Sequence, residues 1–302
     1  MTKKTKIAAA QLTPIFLNLT KTVEKACSAI EEAGKNGAQL IVFPESFISG
    51  YPDWLWLIPA YHAAQLNELY VKLVENAVSI PDNTTERLCK AAKAAKINVA
   101  IGINETNTET SNASLYNTIL FIDENGTILG KHRKLMPTNC ERIVYAQGEG
   151  STLRSYNTSV GKIGGLICWE HFMPLARNAI YEAGTQILCS PTWDKGPDWL
   201  GTMRHIAREG GLFVVSPCMT LHLDDLPDAL KKIYPEGKEW VSTGNSCIIS
   251  PNGKVLAGPL VGEEGILYAD IDLSEIIACK RKFDVVGHYA RPDVFEFNVR
   301  NS

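Results

Sequence analysis

The chain has 302 residues, 45% of them hydrophobic and 21% charged. That is ordinary globular usage, with enough apolar material for one large α/β domain spanning 1–302. The net charge is −3 and no basic run exceeds the Lys280-Arg281-Lys282 cluster, which argues against nucleic acid and acidic membrane surfaces as partners.

From the N-terminus, a basic start leads into Ile7-Ala-Ala-Ala, where Gln11 interrupts the apolar run. A secretory leader needs about 7–15 apolar residues, so none is expected and the chain reads as soluble and cytoplasmic. Short β-rich runs then predict strands over 6–12, 38–44, 98–104, 116–122, 128–134, 162–169, 186–191, 213–217, 246–250 and 266–272. Helical spacing predicts helices over 19–36, 60–78, 84–96, 174–183, 199–211 and 274–283. In the first of these, Val23, Ala26, Cys27, Ile30 and Ala33 share one face, and Gly34 and Gly37 suit its end. The most apolar window, 54–64, holds Pro59 and His62 and is too short to span a bilayer.

Strand–helix–strand alternation implies right-handed crossovers. Asp123-Glu-Asn-Gly-Thr and Ser250-Pro-Asn-Gly-Lys read as hairpin turns, which makes the sheets mixed. Ten strands exceed what one open sheet usually carries, so two packed sheets covered by helices are expected. The stretch 104–114 reads as a surface loop, and 222–239 as an exposed, lid-like insertion.

The eight cysteines (27, 89, 140, 168, 189, 218, 247 and 279) include no Cys-x-x-Cys pair or Cys/His ligand spacing. Neither a metal nor a redox pair is indicated, and most are expected to be core residues. Three segments nevertheless set a reactive side chain at the end of an apolar strand, where open α/β sheets bind ligands. These are Leu40-Ile-Val-Phe-Pro-Glu45, Lys131-His-Arg-Lys134 and Ile163-Gly-Gly-Leu-Ile-Cys168. A thiolate adds to an electrophilic carbon, a carboxylate takes the thiol proton, and an ammonium stabilises the charge that develops.

Together these segments resemble the nitrilase superfamily, whose Glu-Lys-Cys triad occurs in this chain order. Phe-Pro-Glu at 43–45 resembles its general-base motif, His-Arg-Lys-Leu-Met-Pro-Thr at 132–138 its lysine motif, and Gly-Gly-Leu-Ile-Cys-Trp-Glu-His at 164–171 its nucleophile motif. Gly50-Tyr-Pro, Glu141-Arg, Pro191-Thr-Trp-Asp and the segment 286–294 are similar as well, so the likeness runs from residue 6 to about 297. Cys-Trp-Glu-His followed by Met173-Pro-Leu is similar to the branch acting on nitriles and cyanide.

The resemblance implies a four-layer α-β-β-α sandwich of two mixed sheets and a homodimer or higher homo-oligomer. The partner it implies is a small nitrile, and it calls for no cofactor and no metal. It also implies catalysis by Glu45, Lys134 and Cys168, support from Glu141, and a developing charge held by Lys134 and the Trp169 backbone N–H. Tyr51, Trp54, Trp169, Trp193 and Met203 are expected around the substrate by motif position. Tyr145-Ala146 stands where many nitrilases show Trp-Gly, which is expected to alter the substrate channel. The chain shown ends soon after Phe297, so long filaments are not expected. His288 and Arg291 read as structural or oligomeric, and His171 lies too close to Cys168 for a Cys-His protease. The other readings are a cyanide hydratase or dihydratase, an aliphatic amidase on the same scaffold, and a catalytically silent binding member.

Overall fold

A computed structural model describes residues 4–109 and 111–300. The first sheet is built from β1 (Thr5–Gln11), β2 (Leu40–Val42), β3 (Asn98–Thr106), β4 (Leu115–Ile122) and β5 (Ile128–Arg133). The second contains β6 (Tyr156–Thr158), β7 (Gly161–Gly165), β8 (Ile187–Cys189), β9 (Phe213–Ser216), β10 (Thr220–His222), β11 (Trp240–Ile249) and β12 (Val255–Val261). A last strand, β13 (Gly265–Ile271), returns to the edge of the first sheet, giving the order β13-β1-β2-β3-β4-β5. The second sheet runs β10-β11-β9-β8-β7-β6, with β12 beside β11.

Each sheet has a parallel centre, β1-β2-β3 and β7-β8-β9, and antiparallel flanks. The crossovers are helical: α1 (Leu19–Lys35) joins β1 to β2, and α2 (Ala63–Glu75) with α3 (Asn83–Ala95) joins β2 to β3. In the second sheet α4 (Pro174–Glu182) and α5 (Pro197–Gly210) do the same work. The expected turns at 123–127 and 250–254 close the β4–β5 and β11–β12 hairpins.

Side-chain alternation along the strands builds the layers. On β1, Ile7 and Ala9 face the second sheet while Ala8 and Ala10 face α1 and α3. On β8 and β9, Ile187, Cys189, Phe213 and Val215 point between the sheets, and Leu188 and Val214 point toward α4 and α5. Two sheets with helices outside each make the four-layer sandwich expected from the sequence. Among the described residues no helix is long and apolar enough to cross a membrane.

All ten predicted strands and six predicted helices are present with shifted ends. Three strands went unread. β6 and β10 are three-residue edge strands too short to carry a period, and β12 contains Gly258-Pro259, which ordinarily argues against a strand. Two loops need correction. Strand β3 continues to Thr106, and Asn104 within it is buried, donating from Nδ2 to the Ile48 and Gly50 carbonyls. The segment 222–239 is anchored rather than simply exposed: it includes α6 (Asp228–Lys231), and Leu226, Leu230 and Tyr234 bury themselves four residues apart. Polar neighbours in the sequence mask that stripe.

Candidate functional site

Glu45 leaves the end of β2 through Phe43-Pro44 and lies over β3 at a point where only glycine fits. A Cβ on Gly102 would sit 2.1 Å from the Pro44 carbonyl oxygen and 2.6 Å from the Ser46 nitrogen. Gly102→Ala is therefore expected to displace the Glu45 turn, costing about 1–3 kcal/mol of stability and most of the activity. Wild-type activity in that variant, measured beside its melting curve, would show that the close approach is unimportant. Tyr145 supports the same turn from the other side, through Ser46 Oγ at 3.2 Å and through Asn104. It is buried and is not among the residues that line the cleft, so its contacts brace the turn that carries Glu45.

Lys134 directly follows β5, and its N–H donates to the Asn117 carbonyl of β4 at 2.8 Å. Its buried ammonium donates to Glu45 Oε1 at 2.8 Å and to Glu141 Oε2 and Oε1 at 2.8 and 3.1 Å. Asn117 Nδ2 adds a 2.7 Å bond to Glu45 Oε1. Glu141 sits in a single turn, Asn139–Ile143, where Thr138 N–H donates to Oε2 at 2.8 Å and Tyr51 Oη to Oε1 at 2.8 Å. Glu45 Oε2 is buried with no hydrogen-bond partner among the described residues. That leaves it free to receive a proton.

Cys168 follows β7 at a sharp turn with φ +50°, a left-handed conformation that costs energy in any residue but glycine and recurs at functional sites. Its N–H donates to the Pro191 carbonyl, and Thr192 Oγ1 donates to Sγ at 3.2 Å. Glu170 ties this turn to the lysine loop: it accepts from Ile167 N–H at 2.6 Å, Leu135 N–H at 2.7 Å and the His132 ring at 3.0 Å. Each of these partners lies within two residues of Cys168 or Lys134 in the chain.

The electrostatics follow from burial and from one cation among several acids. Burial opposes charge on Lys134, but Glu45 and then Glu141 outweigh it and hold the ammonium protonated well above the usual lysine range. Glu45 is raised above the ordinary carboxylate value, first by burial and then by Glu141, against the pull of Lys134. Burial also raises the Cys168 thiol, Glu45 raises it further, and Lys134 acts the other way. The thiol is therefore protonated at neutral pH. Burial raises Cys189 as well. What distinguishes Cys168 is the facing carboxylate and ammonium, not its pKa.

For Glu170, burial works against charge, yet His132 and the two N–H donors hold the carboxyl below its usual range. A lowered carboxyl gives stability that is present above the ordinary glutamate value and lost as pH falls through the folded value. Glu170→Gln is expected to be less stable than wild type at neutral pH and to converge with it on acidification. A constant gap across an acid titration of unfolding would contradict this. His171 is buried, pushed down to about 4, and bonded to the Cys168 carbonyl and Ser190 Oγ. It is neutral and braces the turn.

Cys168 opens onto a cleft of about 520 Å³. Tyr51, Trp169 and Trp193, all expected at the substrate, line it together with Glu141. Tyr51 and Trp193 stack with centroids 4.7 Å apart. Trp54 and Met203 do not line it. Trp54 is buried in an apolar cluster with Leu66, Leu69 and Tyr145, and the neighbour that reaches the cleft is Trp56, two residues along the turn Asp53–Trp56. Met203 lies on the buried face of α5 against Leu166 and Ile180. Sequence reasoning missed Asn117, Asp53, Thr192 and Glu170. Of these, Asn117 had a signal: a polar residue on a strand pattern, just where β4 turns its buried face inward. Among the described residues no group of three or more His, Cys, Asp and Glu side chains is placed to hold a metal ion.

The carbon-nitrogen hydrolase family model matches residues 6–281. Nitrilase 1 of Arabidopsis thaliana is 41% identical over 302 residues, 97% of this chain and 86% of that protein. A bifunctional nitrilase/nitrile hydratase of Nicotiana tabacum is 41% identical, covering 99% of this chain and 87% of its own. Among solved structures, Saccharomyces cerevisiae Nit3, a member of the nitrilase superfamily, superposes with a TM-score of 0.75 at 22% identity over 96% of this chain and 97% of its own. At that identity the likeness concerns the fold.

Proposed function

The chain belongs to the carbon-nitrogen hydrolase family and is a hydrolase of carbon–nitrogen bonds; from that premise we propose that it is a nitrilase, converting an organic nitrile to its carboxylic acid and ammonia through Cys168. The observation that most supports a thiol mechanism is the buried Lys134 ammonium shared by Glu45 and Glu141, close enough to act on the Cys168 thiol, which opens with Glu141 onto one cleft. Nitrile is favoured over amide because relatives at 41% identity carry nitrilase names.

Glu45, through its free oxygen, takes the Cys168 proton as sulfur bonds to the nitrile carbon. One C–N π bond opens and its nitrogen takes that proton from Glu45, leaving a thioimidate and a carboxylate at Glu45. Glu45 next removes a proton from water as the water oxygen adds to the same carbon. The tetrahedral product expels ammonia and leaves a thioester, and a second water cleaves the C–S bond to give acid and free thiol. Lys134 and the Trp169 N–H stabilise charge on the substrate nitrogen or oxygen, and Glu141 keeps Lys134 charged and aimed. Should C–S cleavage precede C–N cleavage, amide leaves instead; the name of the tobacco relative pairs both outcomes.

Ammonia release over aliphatic, arylacetic and aromatic nitriles, dinitriles, cyanide and the matching amides tests the reading. Acid and ammonia from an organic nitrile, faster than from its amide, are expected. Turnover of amides alone would replace nitrilase by amidase, and turnover of cyanide alone would move it to the cyanide-hydrolysing class.

A further inference from the structure

Resting on the nitrilase reading, we infer that the preferred nitrile carries a carboxylate a few carbons from its C≡N group, bound by Lys195 and Lys238. Both lysines line the cleft that Cys168 opens onto. Asp53 and Asp194 in the same lining keep their charge, but each has both carboxylate oxygens held by a fixed donor, and among the described residues neither pairs with these lysines. Asp53 accepts from Trp193 Nε1 at 2.9 Å and from Tyr234 Oη at 2.8 Å, one donor on each oxygen. Asp194 likewise accepts from Gly196 N–H at 2.8 Å and Trp169 Nε1 at 2.9 Å. Deeper in, Glu141 is satisfied by Lys134, Tyr51 and Thr138.

The cations are the opposite case. Among the described residues, the contacts of their ammonium groups are with rings: Lys195 Nζ lies 4.6 Å from the Trp193 centroid and Lys238 Nζ 5.2 Å from the Tyr234 centroid. Such contacts hold an ammonium in place without using its N–H donors. Lys195 is also fixed through its backbone, whose carbonyl accepts from Asn245 Nδ2. Helix α5 starts from Gly196 in the same wall, adding its positive end. Trp56, Leu57 and Trp193 add apolar surface to the same cleft as the thiol and the two lysines. An extended molecule with an uncharged electrophile at one end and an anion at the other matches that combination of groups. In a partly dry cleft, N⁺–H···O⁻ bonds are stronger than neutral ones.

The test compares ammonia release from 4-cyanobutanoate and from its uncharged methyl ester, in wild type, Lys195→Met, Lys238→Met and Lys195→Arg. Wild type is expected to favour the anion by at least about tenfold in kcat/KM, mainly through KM. That ratio should shrink with added salt, collapse toward one in the Met variants, and persist in Lys195→Arg. A wild-type ratio of one or less, or an unchanged ratio in both Met variants, overturns the inference. A merely structural role would lower both substrates alike. If neither compound releases ammonia while other organic nitriles do, the inference is overturned; if no organic nitrile does, the nitrilase reading fails, and calorimetry with the Cys168→Ala protein still decides the anion site. Tighter binding of 4-cyanobutanoate than of the ester, lost in Lys195→Met, supports it; equal binding overturns it.

Discussion

Lys134→Met is expected to lower kcat/KM for the nitrile substrate by at least about a thousandfold and to destabilise the fold by about 3–5 kcal/mol at neutral pH. Both effects come from one geometry. The ammonium is buried with two carboxylates within 2.8 Å, so its removal leaves acids with no countercharge in a dry site. Those acids relieve the cost by taking protons. In the variant Glu45, already raised by burial, loses the pull of Lys134 and rises further, so the folded state binds more protons and stability falls as pH rises through that window. The stability gap to wild type should thus be wide at pH 8 and narrow at pH 5. Urea unfolding at the two pH values checks this, and an equal gap at both would mean that Lys134 does not compensate these carboxylates.

Glu45→Gln is expected to lose activity to a similar extent while keeping its melting temperature within a few degrees of wild type. A Gln amide preserves shape and, in its carbonyl oxygen, an acceptor for the Asn117 and Lys134 donors, and Lys134 retains Glu141, so no charge is stranded. It cannot accept the thiol proton. Because Glu45 is raised above the ordinary carboxylate value, it is protonated further up the pH scale than a free glutamate. The wild-type rate should accordingly rise with pH through that elevated value, and Lys134, held charged beyond the usual lysine range, should keep the alkaline side flat. Residual Glu45→Gln turnover should lack the acidic limb. If the limb survives in the variant, another group is the base. Activity lost with stability kept, against both lost in Lys134→Met, would separate a proton carrier from a charge compensator.

The architecture was legible because its signals are local. Apolar alternation marked the long strands, helical spacing marked α1 to α5, and the Asn-Gly turns fixed the hairpins. Glu45, Lys134 and Cys168 were legible only together, since each alone reads as an ordinary strand-end residue or core thiol. Trp54 shows where such reading stops. In the turn Asp53–Trp56 no period fixes which indole faces the cleft, and the structure assigns that face to Trp56. Glu170 and Asp53 were hidden for another reason. Their partners lie far along the chain, in Leu135 for the first and in Trp193 and Tyr234 for the second, so their importance exists only after folding. The segment 222–239 looked like a free loop because three aspartates and three lysines surround three spaced apolar anchors.

Cys168 carries the account, and removing its sulfur is the shortest test. Among the described residues the side chain's polar tie is a single bond from Thr192, so Cys168→Ala should fold normally, with a melting temperature near that of wild type. Ammonia release from the best nitrile, measured with that protein, is predicted to fall to the level of buffer alone. Release at the wild-type rate would contradict a thiol mechanism outright.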